Sequence, residues 1–317
     1  MHRLAESLTF LNRNVHIIQQ HSEFHPGWFS SNVKTISYSD WKILLRTLSP
    51  SDNIIILPET YINVFRSYAP GFPKIIFNQN GSYSFGSGDN KSSLKPSSVL
   101  SLYEHEELLH VLCVSDYDYH LIVNGFSVVD DRVSLIVNSI ENQYFVPPLR
   151  KKRQVSFMPR KNPSDARAVL AMLQRKPWFS GWNIQPISGC TQLEVLQHLQ
   201  NSTIFLAFGH PEGFGLPLAE AAACGCALVG YTGLGGKEIF SLSKQYDVAF
   251  PVEYGDWLGF VNSCESIISS LNNNPHSFSE RLLRSSKHIR QYYSFDNMVD
   301  SVRLSMGLWE SQLHACN

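Results

Sequence analysis

The 317-residue chain reads as an α/β protein built of two doubly wound domains in series. Short β-branched runs alternate with helically spaced segments along its length, the signature of parallel sheets assembled from βαβ units. The runs are continuously apolar, as strands covered on both faces must be. The length is about twice the roughly 150 residues that one such core serves comfortably.

In the first half, strands are expected at residues 15–19, 53–57, 74–78, 111–115 and 133–138. A helix over residues 2–10 precedes the first of them, so the chain opens on a helix where a doubly wound domain opens on a strand. Pro147-Pro148 and the basic run Arg150-Lys151-Lys152-Arg153 mark the break between halves. The second half carries strands at 155–158, 182–187, 203–208, 227–231 and 248–251. Residues 279–312 are helical with an interruption near Tyr293-Ser294-Phe295-Asp296, where Ser294 is placed to cap the last helix. The division is therefore 1–148, 149–293 and a terminal helix at 294–317. No solenoid-period repeat or low-complexity tract interrupts this order.

Composition narrows the function. With 26 basic and 27 acidic residues the net charge is -1, so no global field points to nucleic acid. The cysteines at 113, 190, 224, 226, 264 and 316 form no CxxC pair and no signal peptide is visible, which fits a reducing cytoplasm. Apolar runs such as Ile54-Ile55-Ile56-Leu57 are strand-length, far from a membrane span. The 150–153 basic run reads as a solvated linker, with contact to anionic lipid at the inner membrane face as its second reading.

The chemistry concentrates in His210-Pro211-Glu212-Gly213-Phe214-Gly215-Leu216-Pro217-Leu218-Ala219-Glu220-Ala221-Ala222-Ala223-Cys224-Gly225-Cys226. A glycine-containing loop leaves a strand and enters a helix that Pro217 is suited to begin and Gly225 to end. Open N–H groups at such a helix start attract phosphate. Glu212 in the loop and Glu220 near the end of the first helical turn flank that anion site. Carboxylates repel phosphate, so their natural partners are paired hydroxyls of a ribose or hexose. Together these groups describe the polar surface of a sugar nucleotide.

The segment resembles the Glu-x7-Glu motif of retaining GT-B glycosyltransferases, family 4 or glycosyl transferases group 1, which read Glu-Gly-Phe-Gly-Leu-Pro and then a Glu-Ala pair. The resemblance implies two Rossmann-like domains facing a cleft, the first on the acceptor side and the second binding the nucleotide sugar, with the last helix crossing back. It implies that Glu212 contacts the donor sugar, that Glu220 holds the ribose, and that the backbone of Gly213, Phe214, Gly215 and Leu216 lies by the sugar and diphosphate. Tyr231-Thr232-Gly233-Leu234-Gly235-Gly236-Lys237-Glu238 is similar to the family's next glycine-rich loop, which assigns Gly233, Gly235 and Gly236 to the donor site. Phe157-Met158-Pro159-Arg160-Lys161 is similar to the strand end carrying cations for the diphosphate leaving group, which assigns Arg160 and Lys161, although the family's Gly-Arg and later Lys-Gly are not reproduced. Leu135-Ile136-Val137-Asn138-Ser139-Ile140 looks like the Pro-Asn-Gly/Ser-Ile/Val-Asp segment, with Glu141 for Asp.

The implied activity is metal-independent transfer of a hexose-type sugar from a nucleoside-diphosphate sugar to a glycan, lipid or other acceptor, with retention, as in polysaccharide biosynthesis. No cofactor is expected. Where the family often has a histidine in its first domain, Asn78-Gln79-Asn80-Gly81-Ser82 has none, and Asn80 is assigned to the acceptor side. The family's initial strand and glycine-rich loop are not found, which leaves two readings: a start assigned too late, or a catalytically inactive module that binds a nucleotide sugar or a partner. A nucleotide-sugar epimerase on the same scaffold is a third.

Simpler readings stand beside these. Glu220 also fits a helix-start carboxylate favouring the dipole; Arg160 and Lys161 also fit a solvated strand end; Gly233, Gly235 and Gly236 also fit a tight turn. Cys224 and Cys226 read as buried small residues. His105 and His110 are five apart, off a common helix face, so no zinc motif results. Residues 81–88 have Ser87 where a phosphate-binding loop needs lysine.

Overall fold

The computed structural model describes residues 1–21, 31–87, 90–91 and 94–315. Gly88 and Cys316 lie outside the described residues. By its internal contacts the chain divides into Met1–Asn138 with Phe295–Asn317, and Ser139–Ser294.

The first unit opens with α1 (His2–Phe10), then β1 (His16–Gln19), β2 (Lys34–Ser37), α2 (Tyr38–Leu44), β3 (Ile55–Pro58) and β4 (Lys74–Asn78). A minimal hairpin, β5 (Gly86–Ser87) and β6 (Asn90–Lys91), is followed by α3 (Pro96–Leu102), β7 (Leu108–Cys113), α4 (Asp116–His120) and β8 (Val133–Leu135). Strands β3, β4, β7 and β8 form one parallel sheet in that order, and β1 pairs with β2 in a second. Of the strands expected to be buried on both faces, β1 is only partly buried and β3 alternates buried with partly buried residues, whereas every residue of β4 and of β7 is buried. That includes Lys74, whose ammonium donates to the carbonyls of Ala69 and Phe72 and pairs with Glu107, since a buried charge is tolerated only when compensated. β2 has no counterpart in the sequence expectation; its Lys-Thr-Ile-Ser is too short and mixed to stand out. β8 stops at Leu135, which is exposed, instead of running to Asn138.

The second unit contains β9 (Lys152–Phe157), α5 (Pro163–Gln174), β10 (Asn183–Pro186), α6 (Gln192–Asn201), β11 (Ser202–Ala207), α7 (Leu216–Ala223), β12 (Ala227–Gly230), α8 (Lys237–Lys244), β13 (Ala249–Pro251), α9 (Trp257–Asn273) and α10 (Pro275–Tyr292). All five strands are parallel, in the order β10-β9-β11-β12-β13. Numbered by entry this is 2-1-3-4-5, so the chain reverses its direction of travel between β9 and β11. Val155, Leu206, Val229 and Phe260 belong to its core. A capping box at Thr191 and Glu194 starts α6. At its other end the Lys151 ammonium donates to the carbonyls of Leu199, Gln200 and Ser202, so this lysine of the basic run is a helix-end cap and not part of a solvated linker.

The first crossing between units falls ahead of Ser139, earlier than Pro147-Pro148 suggested. Ile140 N–H donates to Tyr293 O and Gln200 Nε2 to Val146 O, while Ile140 and Phe145 are buried, which ties this stretch to the second unit. The final helix, α11 (Phe295–Ala315), belongs with the first: Ser301 Oγ accepts from Val137 N–H, and Trp309 packs edge-on against His110. Among the described residues no helix is long and apolar enough to cross a membrane.

Candidate functional site

In an open parallel sheet, ligands settle beyond the carboxyl ends of the strands where the direction of winding reverses. Here that point lies between β9 and β11, and the segments leaving them are Met158–Asn162 and Phe208–Gly215. The loop from β11 is interlocked with the loop from β12. Glu212 and Leu234 form a parallel bridge, Glu212 N–H donates to Gly233 O at 2.7 Å, and Gly235 N–H donates to Glu212 O at 3.0 Å. The backbones approach so closely that a Cβ on Gly235 would stand 1.9 Å from Gly213 O. Gly235 is thus fixed by the other loop's main chain, a stronger constraint than a tight turn alone.

Gly215 (φ 88°) leads into α7, with Pro217 in the first turn, and Gly225 (φ 74°) follows its end. Gly215 O takes the N–H groups of Leu218 and Ala219. The amides of Gly213, Phe214, Gly215 and Leu216 have no hydrogen-bond partner among the described residues. Consecutive open amides before a helix make an anion-binding concavity. Phe214 is buried edge-on against Tyr293 at 5.1 Å and anchors this turn, while Leu216 is exposed.

Glu220 is the fifth residue of α7, past the first turn where the sequence placed it, so a dipole role is not its explanation. It is half-buried, its carboxylate has no hydrogen bond among the described residues, and burial pushes it up to about 8. Glu212 differs. Its Oε1 lies 3.0 Å from Lys161 Nζ, which also donates to Pro211 O. A Cβ on Gly209 would meet Glu212 Oε1 at 2.5 Å, and one on Gly233 would meet Glu212 Cβ at 2.7 Å, so two bare glycines wall its side chain. Oε2 has no partner among the described residues. Arg160 is exposed and makes no hydrogen bond or ion pair among the described residues.

Several neighbours escaped the sequence reading. Asn162 Nδ2 donates to the carbonyls of Phe208 and His210, fastening the β9 and β11 exits together. His210 stacks on Tyr254 at 4.4 Å, and burial together with the Lys161 charge holds its imidazole below the usual value. Glu238, in the first turn of α8 beside Gly236, accepts from the hydroxyls of Tyr292 and Tyr293.

In the first unit Asn80 is buried, and its Oδ1 accepts from Ser82 N–H and Ser82 Oγ, capping the turn Gly81–Phe85. Two buried carboxylates hold this loop: Glu59 Oε2 accepts from Gln79 N–H at 3.0 Å and Asp118 Oδ1 from Gly81 N–H at 2.9 Å. Burial pushes Glu59 up to about 7 and Asp118 up to about 6. His110 bonds Ser134 Oγ, and Cys226 Sγ donates to Leu199 O and Ser202 O.

No family model matches the chain. It is 26% identical over 218 residues to an α-1,6-glucosyltransferase of Actinobacillus pleuropneumoniae serotype 7, a match covering 66% of this chain and 59% of that protein. The chain therefore spans less than two thirds of the curated relative. Among solved structures, HepE of Anabaena in complex with UDP-glucose superposes with a TM-score of 0.65 at 10% identity, covering 92% of this chain and 98% of that one. Sucrose-phosphate synthase of Thermosynechococcus elongatus gives 0.64 at 14% identity over 99% and 92%. S. aureus TarM, in complex with fondaparinux, α-GlcNAc-glycerol and UDP, gives 0.64 at 14% over 84% and 57%. The chain has the fold of these proteins, GT-B, as the sequence predicted.

Proposed function

We propose that this protein is a glycosyltransferase that moves a hexose-type sugar from a nucleoside-diphosphate sugar to a glycan or lipid acceptor. One observation carries the reading. Four consecutive unpartnered amides at the mouth of α7 sit in the same motif as two carboxylates, Glu212 and Glu220, that retain open oxygens. Amides serve a diphosphate and carboxylates serve hydroxyls, and a sugar nucleotide carries both within one molecule.

The roles follow from the chemistry. Glu220 accepts from the ribose hydroxyls, Glu212 from the donor sugar, and the Gly213–Leu216 backbone with Arg160 meets the charge that develops on the departing diphosphate. Gly233, Gly235 and Gly236 keep the second loop low enough for the ligand to reach those groups. No metal is assigned, because the cation and the amides supply the leaving-group stabilisation. Asn80 is assigned to the acceptor side. Membership of family 4 and transfer with retention extend the same resemblance, and a cytoplasmic site of action rests on the cysteine pattern; glucose as the sugar and uridine as the base are favoured by the glucosyltransferase relative and by the UDP and UDP-glucose bound to HepE.

A thermal-shift panel of uridine and guanosine diphosphate sugars tests the donor, because a ligand bound only by the folded state raises its melting temperature. The expected result is a shift with one base that disappears in Glu220→Gln. Labelled glucose then reports transfer to an acceptor; interconversion of the free donor without transfer would identify an epimerase instead. No shift with any nucleotide sugar overturns the proposal.

A further inference from the structure

Arg160 and Lys161 are adjacent in sequence yet differently engaged, and the difference separates their roles. Both contacts of Lys161 described above, to Pro211 O and to Glu212 Oε1, run to the loop that carries Glu212. The pair is sheltered, with side-chain exposures of 17% and 21%, so solvent screens it less than a surface ion pair. A Cβ at Gly209 or at Gly233 would collide with the Glu212 side chain, so the two bare glycines are what make room for its present path. With Oε1 held by the lysine, Oε2 is the oxygen left to face a ligand. An ammonium with a carboxylate 3.0 Å away also has little net charge to offer a diphosphate. Arg160 carries no such neutralising partner among the described residues.

We infer that Lys161 is a positioning residue that aims the Glu212 carboxylate at the hydroxyls of the donor sugar, and that the diphosphate is met by Arg160 and the Gly213–Leu216 amides without it. This rests on the donor-binding reading above and departs from the assignment that the family resemblance gives the lysine. It divides the donor into two parts: the nucleoside diphosphate, bound independently of Lys161, and the sugar, bound through it.

Isothermal titration of the whole chain with UDP and with UDP-glucose separates the parts. In Lys161→Met, UDP-glucose should bind about tenfold more weakly while UDP stays within about twofold. Lys161→Arg, which keeps a cation within reach of Glu212, should recover most of the loss. Lys161→Met added to Glu212→Gln should cost little beyond Glu212→Gln alone, because both remove one interaction. Equal weakening of UDP and UDP-glucose would make Lys161 a phosphate ligand and overturn the inference, as would UDP-glucose binding that Lys161→Met leaves unchanged. If Lys161→Met melts well below the parent, the arginine variant decides: UDP affinity lost there counts against the positioning role. Failure of the parent protein to bind any nucleotide sugar overturns the donor-binding reading itself, a result distinct from all of these.

Discussion

Past the strand ends of each parallel sheet lie two carboxylates, and the two units hold them differently. In the first unit Glu59 and Asp118 are buried and each accepts a backbone N–H from the Gln79–Gly81 loop. In the second, Glu220 has no partner among the described residues and Glu212 leaves one oxygen uncommitted. A carboxylate that already holds a loop amide is part of the scaffold. Glu220, which holds no loop amide, meets its burial by keeping a proton, and the hydroxyls of a ligand are a second way to satisfy it. Acid residues past a strand end therefore do not identify a site by position; Glu59 and Asp118 are set apart by each holding a loop amide, although Asp118 Oδ2 is itself buried without a hydrogen bond among the described residues.

That contrast can be broken by mutation, beginning with the largest effect. Arg160→Ala should lower transfer by about 10²–10³ with the melting temperature unchanged if, as proposed, it removes a preorganised group at the leaving diphosphate. Full activity in that variant would remove Arg160 from the mechanism. Asp118→Ala should act the other way round, costing about 1–3 kcal/mol of stability by leaving the Gly81 amide buried and unpaired. Denaturant unfolding reads the loss, and titration with UDP should show donor affinity intact; a weakened donor with normal stability would erase the distinction between the two edges.

The pH dependence of stability is a finer probe. Glu220 sits at about 8 in the folded chain against an ordinary 4.5, so between those values the native state holds a proton that the unfolded chain has released. The contribution is complete below about 4.5 and is lost as pH rises through about 8. Melting temperature without ligand should therefore fall across this window, and less steeply in Glu220→Gln; identical profiles would mean that the carboxyl is not desolvated. The smallest effect belongs to Asn80→Ala. Its Oδ1 is committed to Ser82, so a modest change in acceptor KM is the outcome that keeps it on the acceptor side, and unchanged kinetics would leave it as a turn cap only.

Much of the architecture was legible because it depends on local pattern. The buried strands β4, β7 and β11 announce themselves as largely apolar runs, and Pro217 and Gly225 frame α7 to within two residues. β2 was invisible because Thr35 and Ile36 are too few to make a period. The missed contacts share another cause. Lys151 capping α6, Lys161 turned toward Glu212, and Glu59 reaching Gln79 each join residues far apart in the chain, where a lysine or glutamate looks the same whether solvated or committed. The break between units shifted for the same reason: Pro147-Pro148 looks like a linker, yet Phe145 and Ile140 are already buried in the second unit.

The close approach of Gly235 to Gly213 bears on how this protein could be re-engineered. Two main chains that share a bridge and leave no room for a methyl group between them behave as a single part. A chimaera that imports residues 209–215 from a homologue while retaining 231–236 would bring together backbones never fitted to each other. Exchange of both segments at once preserves the fit, so the two loops are exchangeable only as a pair.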